Sequence, residues 1–597
     1  MSSLIRRDLP WREPDALARA LAQRFGREGL VLLGGDRGPL GRRAVLGVDP
    51  LETVCCRGLP GAVGATDPFA ALRAMGERGG PWLGWLAYEA AAWLEPSVPW
   101  REPEMATLWA VRHDPLIHFD LAGRRCWLEG RDPQRLQALA AVIDGLPGAR
   151  ADDMAVAAAW PASSAAAAAP AWPAAHGLTE SVSGERGAAA AAWPAAAAGG
   201  VGLVETLPGG SGAAADGGHP DGLAAGLPGQ GRQPAEAPRL DALSGVAAGR
   251  PVPPSPGIPR SPELSSLAGP ESPPGPVSPD ASAPEAGSPG GSSVRQEPAV
   301  APGAVAPAAG QAQPLRIPLD AWRWHTTPQR YADQVGELLQ RIAAGDLFQA
   351  NLTACCETTL ASPPDPLDLW ERLSRACPAP FAGVAIASSG AAGEAVISAS
   401  PERFLQLSPQ GLVETRPIKG TRPRSADADR DAAAAAELVC DPKDRAENVM
   451  IVDLLRNDLG RVCEPGSIQV PQLVGLESYA QVHHLTSVVC GRLASGRDLV
   501  DLLRACWPGG SISGAPKLRA CTRLHGLEPV PRGPYCGSLF HWDAEGGFDS
   551  SILIRSVMAS GCRLRVHAGG GIVADSDPAA EAEEMGWKIQ PLLEALA

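Results

Sequence analysis

The sequence predicts an α+β fold: an antiparallel β-sheet core with surrounding helices, interrupted by a long insertion that does not fold. Three observations carry this. Apolar runs of strand character outnumber helical stretches and do not alternate with them as a doubly wound sheet requires. Of the 60 prolines in the 597-residue chain, 26 fall between Ala151 and Pro314. The 433 residues outside that stretch are still ample for a large core.

Residues 1–147 read as a first folded part, an N-terminal subdomain. Asp15 to Phe25 carries apolar residues at helical spacing. The runs GLVLLGG and RAVLGVD, punctuated by Gly and Pro, read as strands. Trp82–Trp93 (WLGWLAYEAAAW) is aromatic-rich and is assigned to packing. Residues 148–315 are a low-complexity tract of Ala, Pro, Gly and Ser, read as a disordered insertion because such a composition cannot offset chain entropy by apolar burial.

Residues 316–597 form the second folded part. Thr327-Pro328 opens a helix with a cap residue and a first-turn proline, and Tyr331, Val335, Leu338, Leu339 and Ile342 line one face of it. Four strands are expected in LFQANLTACCE, FAGVAIAS, AVISASPERFLQL and LVETRPIKG. A long helical stretch, Asp427–Leu459, breaks near Asp441-Pro442. Helices follow at Leu499–Cys506, after SISGAPK, and from about Pro578 to Leu596. Strands are expected in SSILIRSVM and RLRVHAGGGIV.

Net charge is −14, with no basic stripe, which argues against nucleic acid as a partner. The 13 cysteines show no CxxC pair and no metal spacing, and read as reduced thiols of a cytoplasmic protein. The first residues, MSSLIRRDLPWREPD, lack the apolar run of a signal peptide. No stretch of about 18 apolar residues predicts a membrane span.

Only four of the 52 basic residues are lysines: Lys419, Lys443, Lys517 and Lys588. Arginine stays protonated, whereas lysine can lose its proton and act as a nucleophile. A lysine that persists in such a chain is therefore a candidate for work arginine cannot do.

Several residues suggest a site for an anionic substrate and a hard metal. Glu447 lies in one predicted helix, and Glu581, Glu583 and Glu584 lie in the last one. Glu581 and Glu584 share a helical face. Two Glu with waters and substrate oxygens suit Mg2+, although the same pattern also describes a solvated acidic face. Lys588 lies one turn after Glu584, as in an ordinary i,i+4 ion pair. Gly569-Gly570-Gly571, after a strand and before a turn, is either a backbone cradle for a carboxylate or a simple turn. Arg555 ends an apolar strand and needs an anion, from ligand or protein. Glu402 and Lys419, expected on adjacent strands, suit a proton donor and a nucleophile, or a buried salt bridge.

These segments together resemble the chorismate-utilising enzymes, and within them the aminodeoxychorismate-forming type. The resemblance runs in order through GDLFQANLT, SASPERF, ETRPIKGTRPR, DPKDRAENVMIVDLLRNDLG, QVHHLTS, PGGSISGAPKLRA, RGPYCGSLFHWDAEGGFDSSILIRS and AGGGIVADSDPAAEAEE. It covers almost all of 316–597 and, more loosely through WLGWLAYE, the first part.

The resemblance implies an anthranilate/aminodeoxychorismate synthase-like fold and an Mg2+-dependent reaction of chorismate with ammonia. Glu447 and Glu584 match metal-ligand positions, and Glu402 matches the acid that protonates the leaving C4 hydroxyl. Arg555, Gly569, Gly570, Gly571 and Lys588 match carboxylate-binding positions, and Thr421 belongs with the substrate-binding set. His484 matches a histidine tied to pyruvate elimination in anthranilate synthases. Gln349 stands where isochorismate-forming members carry a water-activating lysine, so an amine product is expected. Lys419, where anthranilate synthases read PIAGT, marks the aminodeoxychorismate type, in which its amine attacks the ring. The implied product is 4-amino-4-deoxychorismate, on the path to p-aminobenzoate and folate.

Departures from the family pattern are Asn448 in place of the His of AEH, and Leu32-Leu33-Gly34-Gly35 where a tryptophan-binding segment stands in some members. No Gly-x-Cys-x-Gly glutaminase turn occurs, so ammonia must come from solution or from a glutamine amidotransferase subunit. The alternatives are anthranilate synthase component I, with amination at C2 and pyruvate loss, and a non-catalytic scaffold whose insertion is a docking tract. Deleting 151–314 and joining its flanks by a short flexible linker should preserve ammonia-dependent turnover. A folded but inactive deletion variant would tie the tract to the site.

Overall fold

The structure, a computed structural model, describes residues 4–147, 315–479 and 481–597. These residues all belong to one compact unit. The expected insertion, apart from its last residue, lies outside the described residues.

Two antiparallel sheets organise the unit. The first has 12 strands, in the order Ile5–Leu9, Arg125–Gly130, Leu116–Asp120, Arg43–Gly47, Val31–Gly34, Phe381–Ile386, Glu394–Ser400, Ser556–Ser560, Arg563–Ile572, Gln349–Thr359 and Gly514–Ala515, with the short Arg323–Trp324 also on Gln349–Thr359. The second has 10, in the order Ile418–Pro423, Val482–Arg492, Leu412–Thr415, Arg403–Leu407, Phe548–Ile552, Ser538–Trp542, Trp82–Leu86, Leu108–Arg112 and Glu52–Cys56, with Gln469–Ser478 on Val482–Arg492. The two ends of the chain share both sheets: Leu32 faces Val384 in one, and Trp85 faces Leu539 in the other. One apolar core joins the first sheet to helices, and another, where Trp82 and Trp85 are fully buried, joins the second sheet to Val31, Val45, Ala385 and Val396 of the first.

The helices follow their local signals. Pro14–Phe25 buries Leu17, Ala18, Leu21 and Ala22. Pro328–Ala343 starts at Thr327, whose hydroxyl accepts from the Arg330 N–H at 3.2 Å, and it buries Tyr331, Val335 and Leu338. The long stretch divides into Ala428–Cys440 and Pro442–Gly460, with Asp441 capping the second through the Asp444 N–H. Leu499–Cys506 opens on a reciprocal Asp498–Asp501 capping box. Lys517–Leu527 follows SISGAP, and Pro578–Leu596 is capped by Asp577. No helix among the described residues is long and apolar enough to cross a membrane.

Three strands read as continuous from their apolar pattern are broken instead, two of them at residues singled out in the sequence. AVISASPERFLQL divides into Glu394–Ser400 in the first sheet and Arg403–Leu407 in the second, with Pro401 and Glu402 between them. SSILIRSVM divides between the same two sheets, with Leu553, Ile554 and Arg555 at the crossing. The two crossings lock together: the Ile552 N–H donates to Glu402 O at 3.0 Å, the Ala399 N–H to Arg555 O at 3.0 Å, and the Ser400 hydroxyl to Ile552 O at 2.6 Å. LVETRPIKG breaks at Arg416-Pro417, because proline cannot donate to the ladder.

Candidate active site

Arg555 adopts φ +50°, a left-handed conformation costly for a side chain of its size, by about 1–3 kcal/mol. The crossing hydrogen bonds hold it there. The residue is half-buried, the partial burial lowers the proton affinity of its guanidinium, and it makes no ion pair among the described residues. A half-buried, unpaired cation of this kind suits an anionic ligand.

Glu402 sits at the sister crossing, 6% exposed. Burial pushes its carboxyl up to about 7, against the Ser511 hydroxyl, the charge of Lys419 and the Ile418 N–H, which favour the ionised form. It is thus poised as a proton donor near neutral pH. The expectation that Glu402 and Lys419 occupy adjacent strands is incorrect. Two strands, Val482–Arg492 and Leu412–Thr415, separate Ile418–Pro423 from Arg403–Leu407. The two side chains come into electrostatic reach because Glu402 lies beyond the end of its strand, where the sheets part.

Lys419 lies at a bulge. The register against Val482–Arg492 shifts between Lys419↔Leu485 and Thr421↔His484. Gly420 supplies the positive φ of +79° that the bulge needs, and a Cβ there would stand 2.8 Å from both Asp444 and Leu438. Lys419 Nζ lies 3.7 Å from Glu447 Oε2. Beyond the bulge, Thr421 Oγ1 and His484 Nδ1 share a 2.8 Å hydrogen bond. Burial, aided by the charge of Arg555, lowers the His484 pKa to about 3, so its imidazole is neutral at physiological pH.

Gly569, Gly570 and Gly571 do not follow a strand; they lie inside Arg563–Ile572, opposite Thr353, Leu352 and Asn351. Pairing on the other edge ends at Val566↔Val557, leaving the glycine stretch free on that side. A Cβ on Gly571 would strike Gln349 Nε2 and stand 3.1 Å from Lys419 Nζ; one on Gly570 would stand 3.2 Å from Glu581 Oε2. The glycines thus keep the floor of the site clear. Gln349 is fully buried, and neither polar atom of its amide has a hydrogen-bond partner among the described residues. Such an amide beside a lysine and an open glycine floor is suited to a polar ligand.

The carboxylates of the last helix meet the lysines here. Lys588 Nζ pairs with Glu584 at 2.7 Å and also donates to Gly569 O at 3.0 Å, so it ties helix to glycine strand. Burial would raise the Glu584 pKa, but Lys588, with Lys443 and Lys419, outweighs it and holds the group below its ordinary value. Burial raises Glu447 against the charges of Lys419 and Lys443. Glu581 accepts from Lys443 Nζ at 2.9 Å and from the Ser576 hydroxyl at 2.7 Å, while Glu583 faces solvent. Among the described residues no three His, Cys, Asp or Glu side chains converge as a ready metal cage.

The sequence pattern did not reveal three further residues. Ser511, within a segment read only as the lead-in to a helix, touches Glu402. Arg532, 2% exposed, donates to Glu528 at 2.6 and 2.9 Å, to Ile512 O at 2.8 Å and to Asn351 O at 2.6 Å. It thereby ties the Ser511 turn to the strand that carries Gln349. Glu89, in a segment assigned to packing, accepts from the Arg532 and Gly533 N–H groups at 2.8 and 2.9 Å. The available signal was a charged residue within an otherwise apolar or Gly/Pro-rich run. Arg532→Met should destabilise the protein by about 3–5 kcal/mol, since it leaves Glu528 buried and unpaired; chemical denaturation measures this.

A family model described as chorismate binding enzyme matches residues 289–594. The chain is 46% identical over 276 residues to aminodeoxychorismate synthase component 1 of Klebsiella aerogenes, covering 46% of this chain and 60% of that protein. It is 43% identical over 289 residues to the Salmonella typhimurium protein of the same name, covering 48% and 62%. It is also 42% identical over 299 residues to anthranilate synthase component 1 of Streptomyces coelicolor, covering 49% and 57%. The chain therefore spans about 60% of the length of these relatives. Anthranilate synthase component I from Streptococcus pneumoniae superposes with a TM-score of 0.54 at 20% identity over 92% of each chain. MenF, the menaquinone-specific isochorismate synthase of Escherichia coli, gives 0.56 at 13% identity over 100% of this chain and 95% of its own. These two likenesses establish the expected antiparallel-sheet fold.

Proposed function

The chain belongs to the chorismate binding enzyme family, and we propose that it aminates chorismate at C4 with ammonia, yielding 4-amino-4-deoxychorismate. The carrying observation is Lys419 at its bulge, beside the glycine floor and the neutral amide of Gln349, within electrostatic reach of the protonatable Glu402. A primary amine thus lies beside the open floor, and a neutral amide occupies the position of the water-activating lysine of isochorismate-forming members.

Arg555 and Lys588 hold the substrate carboxylates, with the free glycine edge, and Gln349 and Thr421 complete the contacts. Lys419, as the free amine, attacks C2 of the ring; both ring double bonds shift, C1=C2 to C1=C6 and C5=C6 to C4=C5, and the C4–oxygen bond breaks. Glu402 gives its proton to the departing hydroxyl, which leaves as water. Ammonia then attacks C4, both double bonds shift back, and the bond from C2 to Lys419 breaks, releasing the amine. His484, neutral and fixed by Thr421, orients the ring without adding charge.

The family implies Mg2+. Glu447 and Glu584 would hold it, and two carboxylates without a third in a closed cage suit a cation that keeps waters and substrate oxygens. When bound, Mg2+ supplies positive charge against a substrate carboxylate. Glu447→Gln or Glu584→Gln should raise the Mg2+ concentration for half-maximal rate by at least about tenfold, since each removes one charge from a hard-cation site. A wild-type Mg2+ titration in both variants would contradict the ligand assignment.

Ammonia would come from solution or from a separate glutamine amidotransferase subunit, and the product would feed p-aminobenzoate and folate synthesis in the cytoplasm. The 13 free cysteines support that compartment. Product analysis after incubation with chorismate, ammonium and Mg2+ tests the reading. It predicts 4-amino-4-deoxychorismate without pyruvate; anthranilate with pyruvate would establish amination at C2 instead. Glutamine should support turnover only when an amidotransferase is added.

A further inference from the structure

Three of the chain's four lysines gather at this site, and the proposed reaction uses two of them. Lys443 is the third. It lies one turn before Glu447 in the helix Pro442–Gly460. Its Nζ donates to Glu581 Oε1 at 2.9 Å, an oxygen that also accepts from Ser576 at 2.7 Å. Glu581 is 4% exposed, so its carboxylate is fixed between these donors. The charge of Lys443 also reaches Glu447 and Glu584. An ammonium is thus anchored by a third carboxylate beside the two assigned to the cation.

We infer that Lys443 withholds Glu581 from the divalent cation and weakens cation binding until the anionic substrate arrives. The inference rests on the ligand assignment made above. Formal charges give the reason. With Lys419 as the free amine that the reaction needs, Glu447, Glu581 and Glu584 are balanced by Lys443, Lys588 and Arg555, so a dication alone leaves two uncompensated positive charges. The two carboxylates of chorismate cancel them. Without Lys443 the same cluster carries a net negative charge and a free third carboxylate, and it holds the cation without substrate. Lysine suits this role because its ammonium is a compact point charge that one carboxylate and one hydroxyl can anchor, whereas a guanidinium fork needs a wider cradle.

The test is binding of Mn2+, followed by electron paramagnetic resonance, to the full chain and to folded Lys443→Met and Lys443→Gln variants, with and without chorismate. Removing one positive charge close to a dication should tighten Mn2+ binding in the absence of chorismate by at least about tenfold. The further tightening caused by chorismate should shrink correspondingly. Lys443→Arg, which keeps the charge but fits the Glu581 anchor less well, should fall between wild type and the neutral variants. Unchanged or weaker Mn2+ affinity in both neutral variants overturns the inference. So does a raised KM for chorismate with Mn2+ affinity unchanged, which would make Lys443 a substrate clamp. Glu447→Gln separates the two assignments. If it loses Mn2+ while Lys443→Met binds like wild type, only this inference fails. If no form binds Mn2+, the ligand assignment fails with it.

Discussion

Lys419→Arg should be about as inactive as Lys419→Ala, with kcat reduced on the order of 10³-fold or more. The charge and its 3.7 Å contact with Glu447 can survive in the arginine variant, but the nucleophile cannot. The position also leaves little room, because Gly571 must lack a side chain to clear Lys419 Nζ and Gln349 Nε2. Initial rates of chorismate loss at saturating ammonium and Mg2+ measure the effect. If Lys419 were only an electrostatic clamp on a carboxylate, the arginine variant would keep much of the wild-type rate. Residual turnover in the alanine variant by direct attack of ammonia is compatible with the mechanism, so the Arg-to-Ala comparison carries the result.

Glu402→Gln should reduce kcat by about 10²–10⁴-fold and yet stabilise the protein at pH 8. Burial raises this carboxyl from 4.5 to about 7, so the folded state favours its neutral form. Below pH 4.5 the group is protonated both folded and unfolded, and it costs nothing. As pH rises from 4.5 to 7 the unfolded chain gains by ionising while the folded chain does not, and stability falls. Above 7 the full cost is present, about 3 kcal/mol for that rise in pKa. A glutamine removes the cost. Denaturant unfolding should therefore show the variant more stable at pH 8 and equal to wild type near pH 4. Equal or lower stability at pH 8 would mean that Glu402 is not held neutral. The wild-type rate should correspondingly fall as pH rises through about 7, where the acid loses its proton.

The helices were legible because their signals are local. The Thr327-Pro328 start, the Asp441-Pro442 break and the bounds of Leu499–Cys506 follow from capping and periodicity within a few residues. The breaks at Glu402 and Arg555 were not, because the apolar run continues across each of them and only pairing with distant strands sends its two halves to different sheets. Glu402 is fixed by Ile552, and Arg555 by Ala399, each about 150 residues away in the chain. Pro401 and Pro417 were the local hints. Lys419 stood out through the scarcity of lysine and through the family resemblance. Ser511 and Arg532 did not, since nothing near them in sequence announces their partners. Arg532 reaches back 181 residues to Asn351. The glycine triplet reads locally as a turn, and only the carbonyl of Leu352 and the amide of Gln349 lying against it show why a strand there must lack side chains.

The most direct measurement of the mechanism is covalent trapping at position 419. The wild-type chain is incubated with Mg2+ and a chorismate analogue whose lysine adduct cannot collapse, then digested and examined by peptide mass spectrometry. The account predicts the added mass on the peptide bearing Lys419, at Lys419 itself, and none on Lys443, Lys517 or Lys588. An unmodified Lys419 in enzyme that turns over chorismate and binds the analogue would contradict it.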